Sequence, residues 1–166
     1  AWWGLVNAGN YNAAHELGLR DAATGENAYA RKCVQILLAY AKYYPDYQVH
    51  GNIPYNGPGR SGAQTLDEAN FLRSLAMAFD LAGEIMTQEE REYVCERMLL
   101  PGAEFLMEHR HRQLHNHEVI ISSAIAVIGI LTGREDLVQA ALYEKYGLLY
   151  QLEHGMLPEH LWFEGS

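Results

Sequence analysis

Between Asn27 and Tyr44 the apolar positions Ala30, Cys33, Val34, Leu37, Ala41 and Tyr44 recur at intervals of three and four. That is the spacing of one helix face, and it predicts an amphipathic helix ended by Pro45. From Asp46 to Gln64 the period is lost and Gly, Pro and Asn accumulate, which predicts an irregular loop. Thr65-Leu66-Asp67-Glu68 has the form of a capping box and opens the next helix, with Leu72, Leu75, Ala76 and Phe79 on its buried face. Thr87-Gln88-Glu89-Glu90 repeats the signal for a helix running to about Leu100, and Pro101 suits the first turn of another, reaching about His109. Val119 to Leu131 is apolar on every side apart from Ser122 and Ser123. This is the pattern of a helix buried all round, with Gly133 as its C-cap. A last helix is expected over 135–146. Nothing reads as a strand ladder. The expected fold is all-α, made of consecutive antiparallel helical hairpins in two layers, as in an α/α toroid or an α-solenoid.

With 166 residues and 49% apolar content, the chain has the material for one domain core. Twenty-one acidic residues against 12 basic ones give a net charge of -9, which argues against a broad nucleic-acid-binding face. No apolar stretch approaches the ~20 residues a bilayer requires, so no membrane partner is expected. The isolated Cys33 and Cys95 exclude a disulfide scaffold and a cysteine zinc site. Ala1-Trp2-Trp3 carries neither a leader pattern nor an initiator Met, so a processed or longer parent is expected. The surplus of eleven tyrosines and eight histidines fits either ordinary filler or the lining of a sugar cleft.

The polar chemistry is concentrated in His109-Arg110-His111-Arg112-Gln113-Leu114-His115-Asn116-His117-Glu118, just before the most apolar helix. Three readings are open. The first is a solvated loop between helices. The second is a metal site using alternate histidines and Glu118, but alternate residues converge on a metal when they lie on a strand, and the helical His-Glu-x-x-His pattern is missing. The third is an anion site at a helix N-terminus, with Asn116 as N-cap. A substrate carboxylate there would meet an amide donor, the helix dipole and imidazoles. Abstraction of a proton α to a carboxylate needs such a set: a donor to stabilise the developing dianion, and a base of near-neutral pKa.

Four segments, taken in order, resemble the α/α-toroid domain of the heparinase II/III-like polysaccharide lyases and the alginate lyases related to them. Tyr29 to Tyr47 resembles the family helix that ends in tyrosines around a Tyr-Pro pair. Gln64-Thr65-Leu66-Asp67-Glu68-Ala69 is similar to its Gln-x-Leu-x-Glu-Ala segment. His115-Asn116-His117 with the following apolar helix resembles its catalytic Asn-His segment, and Trp162-Phe163-Glu164-Gly165-Ser166 resembles its Glu-Gly-Ser segment. Pro158-Glu159-His160-Leu161 departs from the Asp-Gly usual before that last segment.

The resemblance implies a set of roles. Asn116 would neutralise a uronate carboxylate, and His117 would be the base or share in charge neutralisation, with His115 as the alternative. Gln64 and Arg60 would contact sugar. Glu164 would bind sugar or buttress its loop, and Trp162 would stack on a sugar ring or fill the core. The partner would be an anionic polysaccharide or oligosaccharide, heparin-like or alginate, cleaved by β-elimination without metal or other cofactor. Residues 1–166 would be one partial toroid, in a periplasmic or secreted protein. The rest of the ring, the family's catalytic Tyr and a β-sheet domain would lie beyond Ser166. Two further functions stand beside this one: a helical scaffold that binds proteins, and a toroid glycoside hydrolase using Glu118 and Glu164 as its two carboxylates.

Overall fold

The computed structural model describes the backbone of residues 2–53 and 56–165. Its helices are α1 (Trp2–Thr24), α2 (Ala28–Tyr43), α3 (Thr65–Leu81), α4 (Gln88–Val94), α5 (Leu100–Glu108), α6 (Asn116–Thr132), α7 (Glu135–Leu142) and α8 (Leu148–Gly155). The fold is all-α, built of helical hairpins, with one small antiparallel ribbon of β1 (His50–Ile53) and β2 (Gly57–Gly59). That ribbon lies in the segment expected to be irregular. It is too short for a period-two pattern to show in the sequence.

Helices α1, α3 and α6 lie side by side and run in the same direction. At one end Asn7 donates to the Ser61 carbonyl, which precedes α3, and Tyr11 packs edge-on to Phe71 at 5.7 Å. At the other end Gly18 meets Leu81, and Met77 and Leu81 share a depression with Val127 and Ile130. Their partners run the opposite way. The Tyr40 hydroxyl near the end of α2 donates to Asn7 near the start of α1. Gly133, at φ 68°, turns the chain in the left-handed conformation so that α7 folds back on α6. The interior between the two layers holds Leu37, Tyr44, Phe71, Leu75, Met98, Leu106, Ile121 and Ile125. The far side of the α1, α3, α6 layer is open: Leu19, Met77 and Ile130 are exposed there. Helix α6 is therefore buried on most sides but not all round.

Two local expectations meet different outcomes. At Thr87 the capping box forms in full: Glu90 N–H donates to the Thr87 hydroxyl at 3.2 Å, and Thr87 N–H to the Glu90 carboxylate at 2.9 Å. At Thr65 it does not form. Gln64 takes the N-cap place, the Thr65 hydroxyl donates to the Pro58 carbonyl, and Glu68 turns to other donors. Pro101 does not open a separate helix either. A π turn over Cys95–Leu99 joins α4 to α5, with Leu100 N–H bonded to the Cys95 carbonyl. The extra residue in that turn accommodates the proline's missing N–H and its bulk.

The consequence for function is geometric. Three parallel helices bring their N-termini to one face, with the 56–64 loop between α2 and α3 and the 109–115 loop between α5 and α6 on the same face.

Candidate functional site

The 109–115 loop is held from beneath by a buried ion pair. Arg110 Nε donates to Glu118 Oε1 at 2.6 Å, and the two side chains are 1% and 0% exposed. Arg110 also donates to the Ala140 carbonyl and the Ser122 hydroxyl. The second Glu118 oxygen accepts Arg112 N–H at 2.9 Å, which fixes Arg112 at φ 49°, a conformation uncommon for a side-chain-bearing residue. From the other side Gln151, 1% exposed, accepts His115 N–H and donates to the Gln113 and Tyr146 carbonyls. Arg110 is thus a structural cation. It does not contribute the positive lining for an anionic ligand that its sequence position suggests. Glu118 is equally committed, which removes one of the two carboxylates a glycoside hydrolase would need.

At the start of α6 the cap is His115, not Asn116. His115 has extended backbone angles, and its Nδ1 accepts His117 N–H at 3.1 Å. Asn116 is the first helical residue. Because Nδ1 accepts, Nε2 carries the proton of the neutral ring, and it lies 3.0 Å from Glu164 Oε1. The other Glu164 oxygen accepts Asn116 N–H and, at 2.9 Å, the Trp162 indole N–H. A carboxylate therefore already sits at this helix N-terminus, where free N–H groups and the dipole favour it. With three donors on it, Glu164 buttresses the loop. Trp162 closes over Gly155 and, with Asn116, Val119, Ile120, Leu148 and Leu152, lines an apolar cavity of about 340 Å³. A Cβ on Gly155 would come within 2.1 Å of the indole, so only glycine admits this approach. The Asn116 side chain is exposed and has no hydrogen-bond partner among the described residues.

Three imidazoles converge beside Asn116. The His117 ring meets that of His115 edge-on at 4.5 Å and that of His111 at 5.4 Å. His111 Nε2 donates to the Asn56 carbonyl at 3.1 Å, tying the two loops together. Burial lowers the His117 pKa first, the neighbouring His115 and His111 lower it further, and Glu164 and Asp67 oppose them. His117 is therefore held toward its neutral form. The described residues contain no group of three or more His, Cys, Asp and Glu arranged to hold a metal ion.

Gln64 stands at the start of α3, its amide donating to Asp67 Oδ1 at 3.3 Å. Since Asp67 acts on His117, Gln64 borders the same site. Arg60 sits differently: its guanidinium lies 4.9 Å from the Phe105 ring and 5.6 Å from Tyr44, and it makes no ion pair among the described residues. Beneath both, Glu68 is fully buried. It accepts the N–H groups of Arg60 and Ser61 and the hydroxyls of Ser61 and Tyr44. Burial raises the pKa of the Tyr44 phenol well above its usual value, and the adjacent Glu68 charge raises it further. Glu68 and Gln151 hold the two loops; the sequence offers Glu68 only as a capping residue and Gln151 not at all. His111 had a visible signal, its place in the alternating histidines.

No family model matches the chain. Two alginate lyases are similar to it. The exo-oligoalginate lyase of Saccharophagus degradans is 30% identical over 164 aligned residues, covering 94% of this chain and 22% of the relative. The alginate lyase of Stenotrophomonas maltophilia is 28% identical over 163 residues, with the same coverage of 94% and 22%. The chain thus spans about a fifth of the length of these curated relatives. Both similarities run through nearly all of it.

Proposed function

We propose that this chain is the site-bearing portion of a polysaccharide lyase that cleaves an unsulfated uronic-acid glycan of the alginate type by β-elimination. The observation that carries this reading is the α6 N-terminus. It holds the Glu164 carboxylate and places the Asn116 side-chain amide, which has no hydrogen-bond partner among the described residues, beside a histidine held toward its neutral form. In the reaction His117 removes the proton α to the uronate carboxylate. The Asn116 side-chain amide stabilises the charge gathering on the carboxylate oxygens. The electron pair left by the proton forms the new C=C bond, the β C–O bond breaks, and the departing oxygen takes a proton from an acid. By the resemblance that acid is a Tyr following Ser166. His115 orients the turn, Gln64 contacts sugar, and Trp162 supplies an apolar wall beside Asn116.

The charge pattern supports a carboxylate-only polymer over a sulfated one. Arg110 is buried in its pair with Glu118, and Arg60 is packed on aromatic rings. Of the arginines near the site, Arg112 alone is exposed, whereas a sulfated chain presents several anions per disaccharide. The two named relatives support the same substrate class. The remaining arc of the toroid and a β-sheet domain would belong to the longer protein, and a periplasmic or secreted location follows from the same analogy. No helix among the described residues is long and apolar enough to cross a membrane.

The test is the ultraviolet absorbance of the unsaturated product formed by the full-length protein. It should rise with alginate or its oligomers and not with heparan sulfate. No signal on any uronate polymer would sink the reading. The pH profile gives a second check. The base acts when neutral, and a lowered pKa keeps it neutral in more acidic solution. The acidic limb of kcat/KM should therefore fall below pH 6.5, the ordinary histidine value. A limb above that value would remove His117 from the role of base.

A further inference from the structure

His115 lies between two anchors, and both of its ring nitrogens are spent. Nδ1 accepts His117 N–H at 3.1 Å. The helix sets the direction of that backbone N–H, so Nδ1 carries a lone pair and no proton. Nε2 then holds the single proton of a neutral ring, 3.0 Å from Glu164 Oε1. A ring in this state has no lone pair left to take a proton from a ligand. A second proton could enter only at Nδ1, against His117 N–H, and would break the cap. His115 is thereby removed as an alternative base.

Glu164 faces the same turn from the other side, its side chain 20% exposed. Its Oε2 accepts Asn116 N–H and, at 2.9 Å, the Trp162 indole N–H. The segment that carries it is itself tied down. Met156 pairs with Trp162, Leu157 N–H donates to the Leu161 carbonyl at 2.8 Å, and the indole lies on Gly155. One carboxylate thus meets three donors, two of them on the consecutive residues His115 and Asn116. The geometry points to Glu164 and His115 as a pair of positioning residues for the elimination. Glu164 holds the His115 ring and the Asn116 backbone, and His115 holds His117 N–H. The Asn116 side-chain amide and the His117 ring are thereby presented together on the first turn of α6, while neither positioning residue gives or takes a proton. The catalytic consequence rests on the lyase reading; the pairing itself does not.

Glutamine exposes the pairing, because it keeps the size of Glu164 but turns one acceptor end into a donor. Whichever way that amide turns, either His115 Nε2–H or the two N–H groups of Asn116 and Trp162 face a donor. If His115 instead moves its proton to Nδ1, the cap is lost. In the full-length protein on alginate oligomers, Glu164→Gln should lower kcat by about 10–10²-fold with KM little changed, the scale of loss when a reacting group is misplaced by about 1 Å. His115→Ala should do the same. His115→Asn should recover most of that loss, since an asparagine oxygen is itself a good cap for His117 N–H. In the His115→Asn background, Glu164→Gln should change kcat by no more than about twofold, because no imidazole is left to orient. An Asn variant as impaired as the Ala variant would show that the His115 ring does chemistry and overturns the inference. So does a Glu164→Gln cost that is the same in both backgrounds, or absent from both. Amide hydrogen exchange at His117 is read on the same variants. It should quicken in Glu164→Gln and His115→Ala and stay near that of the unmodified protein in His115→Asn. Unchanged exchange in Glu164→Gln overturns the pairing. Failure of the unmodified protein on every uronate polymer would remove the lyase reading, while the exchange pattern would still decide the pairing.

Discussion

Asn116→Ala in the full-length protein should lower kcat on alginate oligomers by about 10²–10³, the range seen when a donor to a developing oxyanion is removed. KM should change far less, because the amide matters most when charge gathers on the carboxylate in the transition state. The fold should scarcely notice. Asn116 is the first residue of α6, its side chain is exposed, and the cap is provided by His115. The capping loss of about 0.5–2 kcal/mol belongs to His115→Ala instead. The two variants together discriminate between functions. In a protein-binding scaffold, Asn116→Ala would leave partner binding and stability alike untouched, and there would be no turnover to lose. In a lyase it separates activity from stability. Steady-state kinetics with a thermal melt of each variant decides the matter. A fall in kcat smaller than about tenfold would show that the carboxylate is neutralised elsewhere.

The reassignment of the cap shows where sequence reading stops. The Asn116 side chain is a good cap by composition, and so is that of the residue before it once its ring can turn onto His117 N–H. Nothing in the spacing chooses between them. The choice is made by Glu164, 48 residues beyond Asn116, which draws His115 Nε2 to itself and leaves Nδ1 for the backbone. The same holds at Thr65. Its capping box is legible and its partner Glu68 is real, but four donors from Tyr44, Arg60 and Ser61 compete for that carboxylate and win. By contrast, the Thr87 box has no tertiary competitor and forms as written. The helix positions were legible for the matching reason. Period and breaker residues act within a few residues of themselves, as at Pro45 and Gly133. The π turn before Pro101 and the opening of one side of α6 depend on neighbours in space. Of the site, the sequence showed the cluster of residues. Which of the cluster's groups face a ligand depends on long-range pairing, and Arg110 is the clearest case.

Glu118→Ala should be the most destabilising substitution in the loop region, by about 3–5 kcal/mol. It leaves the Arg110 guanidinium, 1% exposed, with only the more distant and exposed Glu144 carboxylate, 3.9 Å away, among the described residues, and it leaves Arg112 N–H without an acceptor in a backbone conformation that the bond holds in place. Removing both charged groups should cost less than removing Glu118 alone, because a buried cation left with one distant, exposed carboxylate is worse than an apolar replacement. Arg110→Met with Glu118→Ala should thus recover part of the loss. It should not recover all, since the Ala140 carbonyl and Arg112 N–H remain unmet in the double variant. Urea unfolding followed by far-ultraviolet circular dichroism measures both. The midpoint should drop sharply for the single variant at an unchanged slope, and partly return for the double. If the single variant loses under about 1 kcal/mol, the pair behaves like an exposed one. Arg110 would then again be available to a ligand, and the argument for an unsulfated substrate would lose its main support.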